Sequence, residues 1–253
     1  MGAAFWLVLR RAGAALPLLG LCVVTSGAAA AEKTDAVLPL KNDPPKFLFS
    51  EKSAILILID GDPVYRPVEG TDLERVINTK PFIVRDTAGV HYLKVFDGWM
   101  EAYMLGGLWS VSGVAPGGVE RALQRAVAEK TVDLLDGANP AAPNDAPKLD
   151  DSTAPAIFIS TKAAELIVTD GPPRFAAVEG TRLEYVENTT ANIFKEPTDD
   201  ELYVLTAGRW FRAWRFDGPW EFVPSSELPS DILAIPDSSP VWHTRAARAM
   251  APR

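Results

Sequence analysis

The chain carries one pattern twice. Asp60-Gly61, Glu69-Gly70-Thr71 and Asn78-Thr79 return as Asp170-Gly171, Glu179-Gly180-Thr181 and Asn188-Thr189, each displaced by 110 positions. One inserted residue then moves the offset to 111, and Tyr92, Trp99, Ala102, Gly107 and Trp109 match Tyr203, Trp210, Ala213, Gly218 and Trp220. Turn residues and aromatics are kept together and in order, so whatever one copy folds into, the other must fold into as well.

Each copy reads as short strands separated by turns. In the first, Ala54–Ile59 is an apolar run too short for a helix and rich in isoleucine, which predicts a buried strand. Asp60-Gly61-Asp62-Pro63 stops it with turn chemistry. Strands are expected near Val64–Arg66, Leu73–Val76, Phe82–Val84, Tyr92–Val95, Trp99–Met104 and Trp109–Val111. The second copy ends in Tyr203–Phe222, which predicts a three-stranded meander around two turn signals.

Between the copies, Val119, Leu123, Ala126 and Val127 recur at helical spacing, and Gly137 is the expected stop. The predicted fold class is mainly β: two tandem small antiparallel β-sheet units joined by a helix and a Pro/Ala-rich linker. The expected boundaries are an extended lead-in at 32–48, the first repeat at 49–113, the helix at 114–138, the linker at 139–156, the second repeat at 157–240 and a tail at 241–253. This organisation predicts separate small domains, or two layers hinged by the linker.

Arg10-Arg11 precedes an apolar run that ends in small residues, the pattern of a secretory signal peptide over 1–31. A retained anchor, a lipoprotein signal and a twin-arginine signal each fit less well: Pro17 and Gly20 break the run, and Leu21 precedes Cys22 where a lipobox wants a small residue. The expected location is therefore periplasmic or extracellular, with no membrane span in the mature chain. Cys22 is the only cysteine, so the mature chain has none to pair. Its 23 basic residues stand against 33 acidic ones, which argues against nucleic acid or an anionic membrane surface as partner.

Alternation along a strand puts Trp210, Arg212 and Trp214 on one face and Phe211 and Ala213 on the other. The first copy has Trp99, Glu101 and Tyr103 against Met100, Ala102 and Met104. The uniformly apolar set is the expected core face. The aromatic–charge–aromatic set is the candidate ligand face, because a flat ring can stack on the C–H face of a sugar. Tyr203 and Trp220, on neighbouring strands, extend it. The competing reading is that these aromatics fill the core of a two-sided sheet.

Other chemistry has less support. Asp60-Gly61-Asp62 lacks the further oxygen ligands of a calcium loop, and Pro172 replaces Asp62 in the second copy. His91 and His243 are the only histidines and stand in unrelated contexts. Asn188-Thr189-Thr190 is a glycosylation sequon in a eukaryotic host. No catalytic residue, metal or cofactor is assigned, and the chain is not expected to be an enzyme.

The stretches Ala164–Pro172, Leu183–Thr189, Tyr203–Leu205, Gly208–Ala213 and Gly218–Val223, with Val132–Gly137 between the repeats, carry a resemblance. Together they make 49–240 similar to bacterial exported proteins described as carbohydrate-binding family V/XII-like. The resemblance implies sugar binding through the aromatic hairpin, with a polysaccharide or envelope glycan as partner. The alternative is a structural or protein-interaction module of the cell envelope that meets an envelope protein. Val241–Arg253 is basic and lacks the pattern, where longer relatives continue with further repeats.

Overall fold

The computed structural model describes residues 42–137 and 147–245. The expected signal peptide (1–31) lies outside them, as do 32–41 of the lead-in, 138 of the expected helix segment, 139–146 of the linker and 246–253 of the tail. The protein is mainly β, built on two six-stranded antiparallel sheets. The first is a meander of β3 (Tyr65–Pro67), β4 (Glu74–Val76), β5 (Ile83–Arg85), β6 (His91–Val95), β7 (Gly98–Ala102) and β8 (Ser110–Val111). The second repeats it with β11 (Phe175–Ala177), β12 (Glu184–Val186), β13 (Asn192–Glu196), β14 (Glu201–Thr206), β15 (Arg209–Ala213) and β16 (Glu221–Val223). The expected meander at 203–222 is β14–β15–β16.

Four further strands tie the copies together. β1 (Lys46–Ser50) and β2 (Ala54–Leu58) precede the first sheet, and β9 (Ala156–Ser160) and β10 (Ala164–Val168) precede the second. β1 pairs in parallel with β10, Lys46 opposite Ala164, 118 positions away. β2 pairs in parallel with β9, Ala54 opposite Ala156, 102 positions away. The two offsets average 110, the period of the repeat. Each strand therefore pairs with the copy of its neighbour, as at an isologous dimer interface. The repeats are interlocked through these two ribbons, a pairing that neither separate small domains nor two layers hinged by the linker would require. Most of β1 falls in the stretch read from sequence as an extended lead-in.

The retained turn residues are clamps. Asn78 accepts the Val64 N–H and donates to the Asp60 and Asp62 carbonyls; Asn188 accepts from Arg174 and donates to Asp170 and Pro172. Thr79 and Thr189 donate to the Leu58 and Val168 carbonyls at the ends of β2 and β10. Thr71 and Thr181 close the turn before β4 and β12, each donating to a valine carbonyl three residues back. These bonds satisfy backbone groups that a turn leaves without ladder partners. The Asn188 amide of the sequon is consumed by this clamp and buried.

Both faces of each sheet are covered. One face of the first sheet packs on the β2–β9 ribbon: Ile57 and Ile59 with Ile157 and Ile159 meet Val76, Ile83, Leu93, Val95 and Met100. One face of the second packs on β1–β10, where Phe47, Phe49 and Ile167 meet Ile193, Val204, Phe211 and Ala213. The opposite face of the first sheet lies under helix α1 (Val119–Ala128), which buries Val119, Ala122, Leu123 and Ala126 against Leu73, Phe82 and Trp99. Val127, expected on that face, is exposed. Leu228, Ile232, Ile235 and Val241 cover the opposite face of the second sheet, with Ile232 in the one-turn helix α2 (Ser230–Leu233).

Helix α1 stops well before Gly137. Thr131 N–H bonds the Ala126 carbonyl and Lys130 N–H the Val127 carbonyl, a Schellman closure with Lys130 in the left-handed position at φ 55°. Among the described residues no helix is long and apolar enough to cross a membrane.

Candidate functional site

The structure divides the seven sequence-predicted site residues into four that are buried, one that is half-exposed and two that are exposed. Trp210 is 2% exposed, in ring contact with Phe194 at 5.8 Å under Leu228, Ile232 and Ile235. Trp99 is likewise buried beneath α1, where its indole N–H donates to Glu120 Oε1 at 3.1 Å. Tyr203 is buried and donates its hydroxyl to Glu201 Oε2 at 2.6 Å. Desolvation, then the Glu201 bond, push the phenol far above its ordinary range. Trp220 lies buried on the opposite face, 4.8 Å from the Phe47 ring.

The expected alternation holds, but its consequence differs. Trp210 and Arg212 do share a face. That face is roofed over in both repeats, which buries Trp210, Tyr203 and Trp99, and Trp220 is buried on the other face against Phe47, so the four cannot form an open stacking platform. The signal for the roof of the second sheet was present in the sequence: Leu228, Ile232 and Ile235 follow the meander at helical spacing of four and three residues.

Trp214 and Tyr103 lie just past the ends of β15 and β7, and both are free of the roof. They occupy equivalent positions at the offset of 111 and are 64% and 84% exposed. The loops that carry them are each held by a tryptophan, Trp109 half-buried and Trp220 buried. Trp109 donates its indole N–H to the Leu105 carbonyl at 3.2 Å, and Trp220 to the Phe216 carbonyl at 3.1 Å. In the second repeat Phe216 also packs 4.5 Å from the Phe49 ring and Arg215 pairs with Asp217 at 2.9 Å, which fixes the base of the loop. In the first, Met104, expected on the core face, lies past the end of β7 and is exposed with Leu108 beside Tyr103, Leu108 at 97%.

Arg212 is half-exposed and sits across the sheet from both Glu201 and Glu221, 3.8 Å from each carboxylate. Its counterpart is Glu101, which accepts a hydrogen bond from the Ser112 hydroxyl at 2.6 Å. The charge of this position is thus reversed between copies while the aromatic two residues on is kept. Among the described residues no group of three metal-ligating side chains comes together.

No family model, curated protein or solved structure matches the chain.

Proposed function

We propose that the protein is an exported, non-enzymatic glycan-binding protein of the periplasm or cell exterior. It holds its ligand with the exposed aromatic tips of two repeated loops, Trp214 in one and Tyr103 in the other. The observation that carries the reading is selective exposure. Most of the large aromatics of both sheets are consumed in the cores, while the one equivalent pair beyond the strand ends stays open at 64% and 84%. Exposed rings on loops anchored by the indole hydrogen bonds of Trp109 and Trp220 present apolar area with little ordering left to lose on binding.

A second reading is favoured by Met104 and Leu108, whose exposure beside Tyr103 makes the first loop an apolar tip suited to an envelope protein. Retention on chitin, cellulose and peptidoglycan separates the two. The glycan reading expects the parent to be retained on at least one of them. Trp214→Ala and Tyr103→Ala should each weaken retention while leaving the thermal midpoint nearly unchanged, since neither side chain is in a core. A parent that passes through all three matrices removes the glycan reading. Crosslinking from Leu108 to an envelope protein supports the second.

A further inference from the structure

A second site lies away from these loops. A groove of about 740 Å³ runs between the end of β2, the turn at 77–80, the residues just after α1 and the β9–β10 turn. That volume is in the range of small-molecule sites. Three lysines line it, Lys80, Lys130 and Lys162, each delivered by a different segment and all exposed. None enters an ion pair among the described residues, and Asp60 is the single carboxylate in the lining. In a chain with a formal charge of −8 this is a local reversal of sign.

Lys130 supplies an independent observation. It holds the left-handed C′ position of α1, where glycine is the residue free of steric cost. The closure that ends α1 thus sets the Lys130 side chain on the wall of a groove already lined by two other lysines. The lining contains no arginine, so it offers compact, rotatable ammonium donors and no planar fork. That suits the three-dimensional spread of charge on a phosphate better than a planar carboxylate. Leu58 and Ile77, both exposed in the same groove, form an apolar wall beside the charges.

We infer that this groove binds a phosphate monoester whose phosphate is held by Lys80, Lys130 and Lys162 and whose organic body lies on Leu58 and Ile77. The site is independent of the loop tips that carry the glycan reading.

Titrating the full chain with phenyl phosphate, inorganic phosphate and benzoate, followed by amide NMR shifts, tests the ligand class. The expected result is saturable shifts at Lys80, Lys130–Thr131 and Thr161–Ala163, with phenyl phosphate tightest and affinity falling as salt is raised. Lys130→Gly should raise the thermal midpoint by relieving the backbone and yet weaken phenyl phosphate about fivefold through the lost charge. Four results overturn the assignment: no saturable shift at these residues, benzoate equal to phenyl phosphate, inorganic phosphate equal to phenyl phosphate, or unchanged affinity in Lys130→Gly.

Discussion

The Tyr65 hydroxyl and His91 Nε2 stand 2.8 Å apart, and the second repeat replaces both partners at once, with Phe175 and Leu202 at the equivalent positions. The pair in the first repeat is polar and buried at the histidine; the pair in the second is apolar. The Arg85 guanidinium lies 3.8 Å from the Tyr65 ring centroid and is bound to Glu74. Burial, and then the positive charge of Arg85, lower the His91 pKa; the Ala102 backbone and Asp86 oppose this without reversing it.

The sign of the pH effect follows. Protonation is harder in the folded state, so stability from His91 is fully present above its unfolded pKa of about 6.5 and is lost as pH falls from there through the lower folded value. The thermal midpoint should drop between pH 7 and pH 5. The double replacement Tyr65→Phe/His91→Leu, which installs the solution of the second repeat, should flatten that part of the profile. An unchanged slope in the double variant refutes the assignment to His91.

Phe47, on the β1 strand that precedes the first sheet, packs in the second, lying 5.7 Å from Phe211 and 4.8 Å from Trp220 by ring centroids. Phe47→Ala should cost about 3–5 kcal/mol. Hydrogen exchange should show protection lost first in β13–β15, with β5–β7 less affected. Equal loss in both sheets would contradict the exchange of strands.

Trp99 and Trp210 are equivalent, buried and differently satisfied. The indole N–H of Trp99 reaches Glu120, whereas that of Trp210 has no hydrogen-bond partner among the described residues. Replacement by phenylalanine removes similar volume at both positions but breaks a hydrogen bond only at the first. Trp99→Phe should therefore be the more destabilising by about 1 kcal/mol in denaturant unfolding.

The β14–β15 hairpin turns through Ala207 at φ 48° and Gly208 at φ 74°, both left-handed. Alanine is disfavoured there, and asparagine tolerates the conformation. Ala207 is exposed, so Ala207→Asn should stabilise by about 0.5–1 kcal/mol, measured as a higher denaturation midpoint at unchanged slope.

The repeat, the strands of both meanders and the helix between them are legible in the residues because alternation, turn chemistry and helical spacing are local signals. The pairing of β1 with β10 is not, because nothing in Lys46–Ser50 specifies a partner 118 positions away. That is also why the face of Trp210 was open to misreading. Alternation says which residues share a face but not what lies on it, and the cover comes from Leu228–Val241, a segment without a match in the first repeat. Trp214 and Tyr103 keep their place in the candidate site because they lie past the strand ends, where the cover stops.

The exchanged ribbons also fix an order of events. β1 and β2 stay without their partners until residues 156–168 have been made and delivered, so neither sheet can close its ribbon-side core early. Contacts this distant in the chain make for slow folding. The fold thereby remains incomplete until the second half of the chain arrives, and a translation product stopped at residue 150 should stay protease-sensitive in its β5–β7 strands.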